Sequence, residues 1–179
     1  GKGLTDDDLT RLAPLRGLTQ VYLANNTGVG DDGLARLKDC PGLAALNAGG
    51  TGVSDATLGR VKGWWPGASH LGLGGTGVTD AGLVHLKDHR PLTDLYLFGT
   101  KVTDAGVGHL KGLPALSLLR LDDTAVTDAG LAHLHGLTRL RELGVRKTRV
   151  TKAALDEFHA AVPRCRVEYD GGVIDPEGG

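Results

Sequence analysis

The chain has 179 residues, a formal net charge of −1, 40% hydrophobic residues and 23% charged ones. That is globular sequence enough for one ordinary domain, and its near-neutral charge argues against a general nucleic-acid or acidic-membrane binder. Two cysteines cannot build a disulfide framework, and no apolar run approaches the ~18 residues of a transmembrane helix. The chain opens Gly1-Lys2-Gly3 without a charged-then-apolar leader, and no compartment is assigned to it. Leu is abundant (30 residues) and so is Gly (29), whereas aromatics are only 4%. Such a composition suits a repeated backbone unit with one standard core residue.

In chain order, an aliphatic residue followed by Thr/Ser-Asp recurs. It is seen as Leu4-Thr5-Asp6, Val53-Ser54-Asp55, Val78-Thr79-Asp80, Val102-Thr103-Asp104 and Val126-Thr127-Asp128. Val29-Gly30-Asp31 and Val150-Thr151-Lys152 are worn copies. The aliphatic anchors are spaced 25, 24, 25, 24, 24 and 24 residues apart, with single insertions near Ala24–Asn26 and Trp65–Ala68. The fullest copies run Leu92-x-x-Leu95-x-Leu97-x-x-Thr100-x-Val102, then Leu116 to Val126, then Leu140 to Val150. This pattern resembles the leucine-rich repeat, L-x-x-L-x-L-x-x-N/C-x-L, with Thr at the Asn/Cys position. The Thr-Asp-Ala-Gly-Leu-x-x-Leu half looks like the 24-residue repeats of bacterial leucine-rich arrays, and is similar to the cysteine-containing type found in some ubiquitin-ligase adaptors. The resemblance implies an α/β fold: a right-handed solenoid arc, with a parallel concave sheet of about seven short strands and short convex helices.

Each position has a physical reading. Leu95 and Leu97 alternate, so both face the core of a short strand. Thr27, Thr51, Thr76, Thr100, Thr124 and Thr148 close the strands, where a buried hydroxyl bonds loop backbone. Asp80, Asp104 and Asp128, or the Thr before each, are helix N-caps. Leu83/Leu86, Val107/Leu110 and Leu131/Leu134 make an i, i+3 apolar stripe on helices of about two turns. Gly82, Gly106 and Gly130 are costly inside helices and imply close approach of a neighbouring turn. The division expected is a helical half-repeat over 1–17, repeats over 18–163, and a C-terminal strand and tail over 164–179. Arg166–Tyr169 would be an edge strand, and Val173 onward a tail.

Two motifs point elsewhere and do not survive the repeat register. Gly72-x-Gly74-x-x-Gly77 matches a dinucleotide fingerprint, but the same unit recurs with Tyr96 and Phe98 in place of its first two glycines. His85, His109 and His133 recur at the period, yet adjacent helices lie about 8–10 Å apart and zinc ligands must converge to about 2 Å. They read instead as a solvated basic edge with Lys38, Lys62, Lys87 and Lys111. Cys40 aligns with Trp64, His89 and Leu113 in a core slot. No Ser/His/Asp or Cys/His set carries a catalytic motif around it, so an enzyme is not expected, nor a cofactor or metal.

Function then falls to the strand residues that the core does not use. The register sets Gln20, Ala45, His70, Asp94, Leu118, Glu142 and Arg166 in one column. A middle column holds Tyr22, Asn47, Gly72, Tyr96, Arg120, Gly144 and Glu168. A third holds Ala24 (or Asn25), Gly49, Gly74, Phe98, Asp122, Arg146 and Asp170. Tyr96, Phe98 and Leu118, flanked by Asp94, Arg120, Asp122 and Arg146, bring together the residue types enriched at binding hot spots. The candidate protein-binding residues are these seven with Tyr22, Asn47, His70 and Glu142. Gly49, Gly72, Gly74 and Gly75 leave the same face bare nearby. The expected role is a non-catalytic module, acting as a monomer, that binds a protein or peptide on the concave face. The alternative is a structural or targeting spacer within a larger signalling or adaptor-like protein.

Overall fold

Alternation of Leu at 24-residue spacing builds one strand per repeat. The computed structural model describes residues 1–177 and contains eight strands: β1 Gln20–Tyr22, β2 Ala45–Asn47, β3 His70–Gly72, β4 Asp94–Tyr96, β5 Leu118–Arg120, β6 Glu142–Gly144, β7 Arg166–Tyr169 and β8 Gly172–Ile174. They form a single sheet in sequence order, parallel from β1 to β7. Each strand pairs with the next at an offset of one repeat, as in Leu71↔Leu95 and Leu95↔Leu119. The first and middle outward columns follow the expected register through every parallel pair, and loop bonds such as Gly75 N–H to Phe98 O and Gly99 N–H to Asp122 O carry the stacking on into the third.

Behind the sheet lie α1 Asp31–Ala35, α2 Asp55–Trp64, α3 Asp80–Leu83, α4 Asp104–Gly108, α5 Asp128–Ala132 and α6 Lys152–Ala161. Between sheet and helices runs one continuous core. The inward strand column Val21, Leu46, Leu71, Leu95, Leu119, Leu143 and Val167 is buried, and Leu23, Leu73, Leu97 and Leu121 are buried behind it. Each fully buried Leu contributes roughly 1.5–3 kcal/mol. Only α2 and α6 reach the expected two turns; the others have four or five residues. Tighter i→i+3 bonds replace the second turn, as in Leu110 N–H to Val107 O and Leu134 N–H to Leu131 O. The segment before β1 likewise holds a 3₁₀ turn, over Asp8–Arg11. No helix among the described residues is long and apolar enough to cross a membrane.

Thr and Asp of the repeat divide two tasks. Thr79, Thr103 and Thr127 are the N-caps, their hydroxyls accepting from Ala81, Ala105 and Ala129 N–H. Asp serves the next repeat instead. Asp80 accepts from the N–H and hydroxyl of Thr103 at 2.7 and 2.6 Å, and Asp104 does the same for Thr127. Asp55 holds Thr79, and Asp128 holds Thr151. These carboxylates explain the glycines two positions on. A Cβ on Gly106 would lie 2.3 Å from Asp80 Oδ1, and one on Gly82 2.3 Å from Asp55 Oδ1. Where α2 carries Thr57 instead, its hydroxyl donates to Asp31 Oδ1 at 2.5 Å. Asp8 stands at the glycine position of the half-repeat, and its carboxylate accepts from the N–H and hydroxyl of its own Thr5. At the other end Lys152 replaces the Asp.

Three sequence expectations are corrected. The strand-closing hydroxyls of Thr51, Thr76, Thr100 and Thr124 each donate to a carbonyl three residues back at 2.6 Å. In the first repeat, however, Thr27 is exposed and Asn26 takes the slot, donating to Leu23 O; the inserted residue follows Asn26. The core slot shared by Cys40, His89 and Leu113 is filled in the third repeat by Trp65, just after α2, not by Trp64, because that helix is lengthened. Trp65 Nε1–H donates to Leu37 O at 3.0 Å and His89 Nε2–H to Ala68 O at 2.6 Å. Finally, β7 is not the sheet edge. The pair Asp170-Gly171 turns the chain back, and β8 covers β7 antiparallel through Tyr169↔Gly172. An Asp-Gly pair between two short apolar runs is a hairpin signal, so the expected tail over Val173–Ile174 is an eighth strand.

Candidate functional site

Strands of three residues leave short outward columns, and the loops after them carry one left-handed residue each. Asn25, Gly50, Gly75, Gly99, Asp123 and Lys147 all have φ between 53° and 66°. This turn sets the third column, including Gly49, Gly74 and Phe98, beside the strands. The face it creates divides in two.

Across β1 to β4 lies a groove of about 540 Å³. Its floor is Gly49, Gly72 and Gly74 with Ala45, and its rims are Tyr22 on one side and Tyr96 and Phe98 on the other. Tyr22 is 69% and Phe98 46% exposed, far above any core residue. Phe98 lies over Gly74, where a Cβ would come within 2.4 Å of the ring. A Cβ on Gly72 would meet Asn47 Oδ1 at 2.9 Å. The absent side chains are therefore what opens the groove and seats the rim. Its polar groups are Asn25, Asn47 and His70, and it is lined by no Asp, Glu, Lys or Arg.

Across β4 to β6 a second recess of about 610 Å³ is lined by Tyr96, Phe98, Leu118, Arg120, Asp122, Glu142 and Arg146 among others. Here the charges meet one another. Arg120 Nε donates to Asp122 at 2.9 Å and its Nη2 to Glu168 at 3.0 Å. Arg146 Nη1 lies 3.1 Å from the same Glu168 oxygen, its N–H donates to Asp122, and Arg166 bonds the other Glu168 oxygen. Ion pairs to Arg166 above all, then to Arg120 and Arg146, hold the Glu168 carboxyl below its ordinary pKa despite partial desolvation. Tyr96 moves the other way: burial, then Asp94 and Glu142, raise its phenol.

All eleven expected residues lie on this one face. Tyr22, Asn47, His70, Tyr96 and Phe98 meet in the groove, while Leu118, Arg120, Asp122, Glu142 and Arg146 gather in the recess. Asp94 lines neither; it faces His70 at 3.2 Å. The glycine floor also lines the site, visible in the sequence only as bare positions; Glu168 and Arg166 line neither hollow but tie into the recess through Arg120 and Arg146, by reach across strands.

One chemical arrangement appears that no motif announced. Ser69 Oγ lies 2.7 Å from His70 Nδ1, and His70 Nε2 faces Asp94. The order hydroxyl–imidazole–carboxylate is that of a hydrolase relay, but with the two ring nitrogens exchanged, since there the hydroxyl bonds Nε2 and the carboxylate Nδ1. Acyl transfer also needs donors aimed at the oxyanion, and the N–H groups of Ser69 and His70 are both given to Ala44 O. Elsewhere the rings of His85 and His133 rest beside Gly59 and Gly108 of the preceding helices. Among the described residues, no cluster of three or more His, Cys, Asp or Glu could hold a metal ion. Cys40 and Cys165 are both free and buried, and burial pushes the Cys165 thiol up to about 12.

No family model matches the sequence, and no curated protein matches it. Solved structures do. An internalin from Listeria monocytogenes superposes with a TM-score of 0.65 at 18% identity, over 94% of this chain and 51% of that one. An internalin C2 from the same species gives 0.60 at 18% identity, over 92% and 73%. The chain thus spans about half the length of the first of these, and the likeness is one of fold. Period, one-strand offset, closing hydroxyls and superposition agree that this chain has the leucine-rich repeat solenoid fold.

Proposed function

We propose that the chain is a non-catalytic module that binds a protein or peptide on the open face of its sheet, acting as a single copy. One observation carries this reading: the uncharged groove floored by Gly49, Gly72 and Gly74 and rimmed by exposed Tyr22 and Phe98. An apolar cleft with a few convergent polar groups is what a bound segment fills, and aromatic anchors are what it packs against. Nothing in the core requires rings at these positions. The Ser69-His70-Asp94 set supports the same reading, since its backbone donors are engaged and its His serves to order the groove wall.

The test is capture. The chain is immobilised, exposed to a lysate of its source organism, and run beside a Tyr96→Ser/Phe98→Ser column whose folding is checked by circular dichroism. A protein kept by the first column and lost on the second supports the groove and names its partner. Equal retention on both moves the site to the convex basic edge or the ends. Absence of specific retention favours the alternative, a structural or targeting spacer of a larger protein.

A further inference from the structure

We propose that Arg120, Arg146 and Arg166 form a receptor for a phosphate group, which the side chain of Glu168 occupies in the unbound protein. The three arginines sit on or just after neighbouring strands, β5 to β7. Strands lie about 4.8 Å apart, and like charges side by side destabilise a sheet unless an anion stands between them. Glu168 is that anion: Arg120 Nη2 and Arg146 Nη1 reach one of its oxygens at 3.0 and 3.1 Å, and Arg166 the other. Arg120 comes from two strands away. It can do so because the strand between carries Gly144, where a Cβ would lie 2.4 Å from Arg120 Nε. Gly144 thus clears the path along which the guanidinium converges.

Charge and oxygen count select the ligand. With Glu168 swung out, three guanidinium charges face Asp122 at hydrogen-bond distance and Asp175 at 3.7 Å from Arg166 Nε, the latter 81% exposed and largely screened by water. A monocarboxylate offers only two oxygens, so that Arg120 and Arg146 share one. A phosphate monoester carries about −1.5 to −2 charges and three terminal oxygens, one for each arginine. Glu168 is therefore a weaker version of the group the site is built for, held close by the chain and displaced by a better one. The site borders the recess beside the groove, and naming a phosphorylated segment of a docked protein as the bearer rests on the binding role proposed above. The phosphate site itself does not rest on it.

Isothermal titration with inorganic phosphate at pH 7.5 and low salt tests this on the wild type, Glu168→Gln and Glu168→Gln/Arg146→Gln, with acetate as the monoanion control. Glu168→Gln is expected to bind phosphate at least about tenfold tighter than wild type, the worth of roughly one charge-assisted bond. Removing Arg146 should cancel the gain. A folded Glu168→Gln that binds phosphate no better than wild type overturns the proposal and leaves Glu168 as a strand staple. Acetate bound as tightly as phosphate overturns the dianion assignment in favour of a carboxylate receptor. Should Glu168→Gln fail to fold, the wild type still decides: phosphate must raise its Tm above that in chloride of equal ionic strength, and an equal Tm overturns the site. A phosphoserine peptide and free phosphate then separate the bearers: tighter binding of the peptide supports a docked protein, and equal binding overturns that bearer. None of these outcomes depends on the Tyr96/Phe98 capture assay, so the two readings fail separately.

Discussion

The helix side and the open side of each repeat obey opposite rules. Along the helix N-termini the same chemistry returns: Asp55, Asp80, Asp104 and Asp128 each hold the cap of the following repeat. Along the middle strand column no two neighbouring repeats share a residue, from Tyr22 through Asn47, Gly72, Tyr96 and Arg120 to Gly144 and Glu168. The first row satisfies backbone donors that stacking takes from water, so its residues answer to the fold. The second row lies on the open face outside the core, exposed at Tyr22, half-buried at Asn47, Gly72, Tyr96, Arg120 and Glu168, and buried only at Gly144. Its residues are free to answer to a ligand.

Substitutions on the two rows should separate cleanly. The largest effect is expected from Gly106→Leu, which must push Asp80 off Thr103. Denaturant unfolding should show a loss of about 3 kcal/mol, from overpacking together with an orphaned N–H. Asp80→Ala should cost about 1–3 kcal/mol through the same N–H. The two sites are coupled through one oxygen, so Gly106→Ala should be milder in the Asp80→Ala background than in wild type. A double-mutant cycle with a coupling of about 1 kcal/mol confirms the contact, and strict additivity refutes it.

The ladder should also show in the acid limb. Burial pushes the Asp31 carboxyl up, but hydrogen bonds from Ser54 and Thr57 outweigh it, and its pKa lies below the ordinary 3.8. A depressed folded pKa means the unfolded chain takes up protons first as pH falls. The contribution is complete above the unfolded value and is lost as pH falls through the folded one. Asp31→Asn should therefore lower Tm at neutral pH and lose less than wild type below about pH 4. The smallest stability effect is expected from Tyr22→Ser/Phe98→Ser: a change within about 0.5 kcal/mol by urea unfolding, beside a clear loss of partner capture. A large loss of stability there would place these rings in the fold and erase the contrast between the rows.

Much of this is legible in the amino-acid sequence. Leu95-x-Leu97 at a constant period dictates strand, inward face and neighbour, because the pleat alternates and equal repeats stack in equal register. The three outward columns followed from that alone. Close approach at Gly82, Gly106 and Gly130 was legible as well, from their cost in a helix. The partner in that approach was not: Asp looks like an N-cap in one dimension, and only stacking shows that it reaches the next repeat's Thr. Asn26 and Trp65 were displaced by one position from their expected slots because an insertion's place is set by which side chain finds a buried partner.

The amino-acid sequence by itself determined the repeat, its core and the order of residues on the open face, because each follows from local periodicity. Tertiary structure decided what those residues do together. It set Phe98 over Gly74 to rim a groove, and turned Asp170-Gly171 back so that β8 covers β7. It also carried Arg120 across Gly144 to Glu168, 48 residues away. Those outcomes depend on distances between strands and on side chains that are missing as much as on those present, and periodicity encodes neither.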